Sequence, residues 1–270
     1  MKKPRVQEID FLRAVAIILV VVLHVSAAFM MNSPEKGNAF FLGLILNQWS
    51  RICLPLFVFV SGFGLFYRYG RGENIDYKGF YGKRLFNVFL PYAFWSLIYI
   101  ILRNIFNKTF DFFRLPPRDL LSVYLQWTFW ENIHITLWFV LMITQFYLLF
   151  PLMRKMVLNV KRPAWVITVQ TFIYFTLTIY LVGFRVNTGF VVIDFIQNYY
   201  NVNFLGWYYY FILGGIAAVY WDSLKEFRWN NGIVAGAYVI TTLSAVLEAY
   251  FGYLNYGRPY LESYTSLRGT

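Results

Sequence analysis

Phe11–Met31 reads FLRAVAIILVVVLHVSAAFMM, an apolar run interrupted by Arg13, His24 and Ser26. Crossing the ~30 Å hydrocarbon layer takes about 20 mostly apolar residues. A helix of a soluble domain needs only one apolar face, and this run is apolar on all sides. It therefore reads as a membrane-spanning helix. The basic start (Lys2, Lys3, Arg5) gives it a superficial likeness to a signal peptide. The run is too long for a typical secretory core and no small-residue cleavage site follows, so an uncleaved first span is expected.

Comparable runs recur along the chain. Ile52–Tyr67, extended backward through Ala39–Trp49, is the second. Leu85–Leu102, Ile135–Leu152, Ala164–Val182, Phe204–Trp221 and Ile233–Phe251 follow. Backbone groups in lipid must bond within their own segment, and the runs lack the alternation of a barrel strand, so each is expected to be helical. Leu120–Trp130 and Gly189–Ile196 are too short to span and read as interfacial pieces. The expected fold is all-α, a polytopic transmembrane helix bundle with about seven spans, forming a single domain over 1–270. No internal repeat or low-complexity tract divides it.

Composition agrees. The chain is 59% hydrophobic and 14% charged, against about 45–50% and 25% in soluble domains. Its 29 Phe, 22 Tyr and 9 Trp suit lipid–water boundaries. The net charge is +11, yet the basic residues lie in short stretches between apolar runs. They read as topology signals, and nucleic acid is not an expected partner. With the N-terminus in the cytoplasm, inner segments hold 14 Lys and Arg and outer segments 8, which by the positive-inside rule favours that orientation. The single cysteine, Cys53, excludes an internal disulfide. With two histidines in all, no metal centre is expected.

Polar residues inside spans carry the functional signal, because a charge at a helix centre costs about 2.5–3.5 kcal/mol on insertion scales. Arg13 and His24 are eleven residues apart, about three helical turns. They share one face, roughly 16 Å apart. Asp10, three residues before Arg13, is placed for an ion pair on that stripe. Two readings remain open from spacing alone. Arg13 snorkels and His24 is a satisfied polar residue between helices, or the stripe is a site. As a site, the imidazole suits a general base, and the guanidinium fork suits a phosphate-bearing ligand.

Other positions carry similar pairs of readings. Arg51, between Asn47-Gln48 and Pro55, either lines a substrate path or sits at a headgroup level. Ser61-Gly62 lets helices approach closely or touches substrate. Glu131 and His134 bind an acceptor sugar or cap a helix. Trp127, Trp130 and Trp138 stack on sugars or belong to an aromatic belt. Cys53 forms an acyl-cysteine or is simply a small apolar residue.

The segment Glu8-Ile9-Asp10-Phe11-Leu12-Arg13-Ala14-Val15-Ala16-Ile17, continuing to His24, resembles the opening helix of the acyltransferase 3 family. These are bacterial multi-pass enzymes that acylate sugars of surface glycans. Leu54-Pro55-Leu56-Phe57-Val58-Phe59-Val60-Ser61-Gly62-Phe63 is similar to the family's second motif. Leu137-Trp138-Phe139 and Phe211-Ile212-Leu213-Gly214 resemble weaker signatures. The resemblance implies transfer of an acyl group, usually acetyl, from cytoplasmic acyl-coenzyme A to a hydroxyl of an extracytoplasmic glycan. Membrane lipid, acyl-CoA and a cell-surface glycan would be the partners, in the bacterial cytoplasmic membrane. It assigns catalysis to His24 and Arg13, with Asp10 beside them. Arg51, Ser61, Lys83, Arg84, Glu131, His134 and Trp138 are the candidate substrate-binding residues. The sequence departs from the family at Asn87, three residues after Arg84, where many members carry a second arginine. Members usually have about ten spans, so the chain is expected to lack its C-terminal ones. An exporter of polysaccharide or lipid-linked sugar, or a non-catalytic scaffold, is the alternative.

Overall fold

The computed structural model describes residues 4–34, 37–107, 115–129, 137–180, 189–200, 202–228 and 230–256. Of these, 85% are helical and none is in a strand. The helices are α1 (Gln7–Asn32), α2 (Asn38–Ser50), α3 (Cys53–Arg68), α4 (Tyr77–Arg84), α5 (Leu90–Asn107) and α6 (Pro117–Phe129). They continue with α7 (Trp138–Leu158), α8 (Pro163–Thr178), α9 (Val191–Asn198), α10 (Tyr208–Val219), α11 (Trp221–Glu226) and α12 (Asn231–Tyr256).

Five segments among the described residues are long and apolar enough to cross a membrane: Gln7–Asn32, Asn38–Arg68, Tyr77–Phe106, Trp138–Leu158 and Asn231–Asn255. One of the seven expected spans, from Phe204, is divided, and another, from Ala164, is described only to Tyr180. The run from Ala164 is α8 followed by a π-helical turn at Ile179–Tyr180, and its last residues, 181–182, lie outside the described ones. The run from Phe204 divides because the Asn203 side chain accepts from the Leu205 amide and starts a tight turn ahead of the 12-residue α10. The short pieces at 120–130 and 189–196 are helices of 13 and 8 residues, α6 and α9.

Large apolar side chains stand exposed along the spans. Phe11, Ile17, Ile18, Val21, Val25 and Phe29 do so on α1, and Ile233, Ile240, Leu243, Leu247 and Phe251 on α12. Contiguous apolar surface of this kind is rare on a soluble monomer, and it suits contact with lipid. The protein is a polytopic, all-α membrane protein.

The chain divides into two units, residues 1–71 with 210–268, and residues 72–209 with the last two. In the first, α1 runs one way and α2–α3 return antiparallel against it. Met30 meets Gly43, Leu23 meets Asn47 and Arg13 meets Gly64, so numbers fall along one strand of the hairpin as they rise along the other. The return is broken at Arg51–Ile52. Pro55 is the third residue of α3, where its missing N–H would have had no intrahelical partner. Met30, Phe40, Leu44, Ala249 and Tyr253 pack as a buried cluster joining α1, α2 and α12.

Nearer its other end, α3 meets α10 backbone to backbone. A Cβ built at Gly62 would lie 2.2 Å from the Phe211 carbonyl oxygen, and one at Gly214 would lie 2.1 Å from that of Phe59. Only hydrogen fits at either position, which is the way small residues let membrane helices approach.

In the second unit, the Asp76 carboxylate caps α4 by accepting from the Gly79 amide at 3.1 Å. A π-helical turn, Leu85–Phe89, joins α4 to α5. The Tyr124 hydroxyl donates to the Ala93 carbonyl at 2.8 Å, tying α6 to α5. Gln145 of α7 donates to the Val202 carbonyl at 2.7 Å and accepts from the Phe204 amide at 3.2 Å. These bonds satisfy the turn that interrupts the apolar run there.

Candidate functional site: the stripe on α1

Helix α1 is unbroken from Gln7 to Asn32, so Arg13 and His24 keep the helical spacing expected of them, about 16 Å along the axis. Arg13 Nη1 donates to Asp10 Oδ1 at 3.0 Å. Asp10 also accepts from Arg5 Nε. The carboxylate therefore holds two guanidinium groups at the N-terminal end of the helix, where negative charge also complements the helix dipole.

Arg13 is held from the neighbouring helix as well. Its Nη2 lies over Gly64 of α3, where a Cβ would come within 3.2 Å. The bare backbone of Gly64 leaves room for the guanidinium to lie against α3. Gly64→Ala is expected to shift the tip of Arg13 by a few tenths of an ångström. Gly64→Leu is expected to displace it, so that its effect on activity matches that of Arg13→Ala.

His24 is exposed, on the flank of α1 away from the packed residues Ala16, Leu19, Ala27 and Met30. Among the described residues no hydrogen-bonding group reaches its imidazole. Ionisable groups inside membrane spans normally face partners or a water-filled cavity. An imidazole left open on one side is available to a ligand.

Behind His24 the hairpin is polar. Ser26 of α1 and Asn47, Gln48 and Ser50 of α2 are all buried. The Asn47 side-chain amide and the Ser26 hydroxyl each donate to the Leu23 carbonyl at 3.1 Å. Interhelical hydrogen bonds in membranes average ~0.6 kcal/mol and reach ~1.7. Arg51, half-buried in the break, lies by the antiparallel register about one turn from His24 on the Arg13 side.

The remaining candidates divide. Ser61 is half-buried, and its neighbour Gly62 makes the close crossing with α10. Cys53 is fully buried, as suits a small apolar residue. Lys83 and Arg84 belong to the second unit, at the end of α4. Lys83 is exposed. The Arg84 guanidinium lies over the rings of Phe80, at 4.0 Å, and Tyr147, at 5.5 Å, contacts that orient a cation on an aromatic shelf. Trp138 packs against Trp207 with ring centroids 6.0 Å apart. Glu131, His134 and Trp130, and the Trp127 side chain, lie outside the described residues. No group of three His, Cys, Asp or Glu that could hold a metal ion occurs among the described residues.

Sequence reasoning passed over Gly64 and Asn47. The polar run Asn47-Gln48 and Ser50-Arg51 in an otherwise apolar span was a signal for Asn47. Nothing local marks Gly64, whose role appears only when α3 lies against Arg13.

Residues 6–269 match the family described as the acyltransferase domain. The chain belongs to the acyltransferase 3 family. The match covers essentially the whole chain. No curated protein and no solved structure matches it. Membership makes the protein a membrane-embedded acyltransferase, an enzyme with an acyl donor and an acceptor. In such an enzyme, the open imidazole of His24 and the anchored guanidinium of Arg13 are groups of the kinds that proton transfer and anion recognition require.

Proposed function

We propose that this acyltransferase moves an acyl group, acetyl in the simplest case, from cytoplasmic acyl-CoA to a hydroxyl of an extracytoplasmic glycan. It does so in the bacterial cytoplasmic membrane with the N-terminus inside. The observation that carries the reading is the stripe on α1, an anchored arginine near one end and an open histidine three turns on, in a chain of this family. A donor bearing phosphates suits Arg13, whose fork engages Asp10 through one nitrogen. Lys83 and Arg84 of the second unit are proposed as a separate anion contact.

Chemically, His24 takes the proton of the acceptor hydroxyl as its oxygen attacks the thioester carbonyl. The C–O bond forms and the C–S bond breaks. The imidazolium then returns the proton to the departing thiolate, giving an ester and free coenzyme A. Both substrates must reach His24, the donor's thioester from the Arg13 side and the hydroxyl from beyond. Arg51, between the levels of His24 and Arg13, and Ser61 are candidate contacts along this path.

The test uses membrane vesicles from cells making the full chain, supplied with labelled acetyl-CoA, and follows label into the glycan fraction. Transfer that depends on the protein supports the reading. Absence of transfer with acetyl-, propionyl- and succinyl-CoA alike, at normal protein levels, sinks it. Binding of labelled acetyl-CoA to purified protein separates an acyltransferase from an exporter, which has no need of the donor.

Arg13 provides a sharper prediction. A hydrogen bond to a charged group contributes about 1.5–3 kcal/mol, so Arg13→Ala is expected to raise the KM for acyl-CoA about 10- to 100-fold. Arg13→Lys keeps the charge without the planar fork and should fall between. An unchanged KM in Arg13→Ala removes the residue from donor binding.

A further inference from the structure

Asn47 is fully buried on α2, yet its side chain reaches the helix that carries His24. Its Nδ2 donates to the Leu23 carbonyl at 3.1 Å and lies 3.5 Å from Ser26 Oγ. The Leu23 carbonyl belongs to the peptide group whose nitrogen is that of His24. A grip on this oxygen therefore acts on the plane from which the His24 side chain departs. Ser26 reinforces the grip by donating to the same oxygen at 3.1 Å.

Asn47 is itself held through its side chain and its backbone. Its Oδ1 lies 3.5 Å from Gln48 Nε2, and its backbone carbonyl accepts from Ser50 Oγ at 3.0 Å. Gln48, 4% exposed, keeps its own Oε1 without a partner among the described residues. Nature seldom leaves polar groups buried in a span without a use. An amide meets this geometry because it offers a donor to Leu23 and an acceptor to Gln48 together. Leucine, of the same shape, offers neither.

We propose that Asn47 is a positioning residue for His24. It clamps the peptide preceding the histidine and so fixes the rotation of α1 and the direction in which the imidazole points. The role rests on the reading of His24 as general base. A displacement of about 1 Å at a reacting group can cost on the order of 10²-fold in rate. Loosening the clamp should therefore lower kcat and leave donor binding near Arg13 intact.

The experiment measures kcat and KM for labelled acetyl-CoA in vesicles carrying the full chain, its Asn47→Leu, Asn47→Gln and His24→Ala variants, and the double variant His24→Ala/Asn47→Leu. Asn47→Leu is expected to lower kcat about 10- to 100-fold, with KM within about two-fold. Asn47→Gln, which keeps donor and acceptor on a longer arm, should recover part of the rate. The double variant should be no slower than His24→Ala, because residues acting as a unit do not add. Unchanged kcat in Asn47→Leu overturns the proposal, as do losses that multiply in the double variant. Full activity in His24→Ala overturns the general-base reading instead, whatever Asn47→Leu does. If Asn47→Leu does not accumulate, Asn47→Ala is read in the same way. Failure of both to accumulate, with Asn47→Gln fully active, assigns Asn47 to folding alone and also overturns the proposal.

Discussion

Replacing His24 with alanine is expected to lower acyl transfer by about 10²–10⁴-fold, the usual contribution of a general base, while the protein remains in the membrane at its normal level. The two halves of this expectation have separate grounds. The imidazole is exposed and makes no hydrogen bond among the described residues, so its removal breaks no hydrogen bond among them. Substitutions at such positions usually change stability by no more than about 0.5 kcal/mol. A histidine kept only to join helices would behave in the opposite way, costing stability and sparing the chemistry. Glycan acetyl content and the melting temperature of the purified variant, measured together, distinguish the cases. Retained acetylation at normal protein levels would remove His24 from the chemistry.

The second large effect concerns the crossing of α3 and α10. Gly62→Ala and Gly214→Ala each put a methyl about 2 Å from a backbone carbonyl oxygen (2.2 and 2.1 Å), well inside van der Waals contact. No side chain can move aside, because the obstructing atoms belong to the opposite helix's main chain. Overpacking of side chains costs about 1–3 kcal/mol, and a backbone obstruction should exceed that range. Both variants are expected to accumulate poorly and to melt at lower temperature in detergent. Gly236→Ala is the control. Nothing lies within 4 Å of a Cβ there, and alanine favours a helix by about 1 kcal/mol over glycine. A wild-type melting temperature for Gly62→Ala would show that the helices do not meet so closely.

How far the amino acids announce these features depends on whether the cause is local. Helix α1 was legible because length, apolarity and the spacing of Asp10, Arg13 and His24 all follow from one helical repeat. The break between α2 and α3 was legible only in part. Pro55 marks the neighbourhood, yet the chain leaves the helix at Arg51–Ile52, ahead of the proline. The shortening of the run from Phe204 depended on Gln145, nearly sixty residues earlier, which satisfies the turn at Val202–Phe204. The grip of Asn47 on Leu23 and the place of Arg13 over Gly64 were not legible at all, because both depend on how two helices are aligned. The apolar character of a span says that it packs or faces lipid, and leaves that register open.

The break in the second crossing bears on how the protein meets bilayers of different depth. Residues 38–68 would extend about 46 Å as one straight helix, half again the ~30 Å of hydrocarbon they must cross. A rigid rod of that length would have to lean steeply or thicken the lipid around it, at a cost for every ångström of mismatch. A jointed one divides the excess. Its α3 half is fixed to α10 by the glycine crossing, while its α2 half is packed against α12 and against the far end of α1. The length in excess of the hydrocarbon is thus split at Arg51–Ile52 between two pieces, each held by its own neighbour.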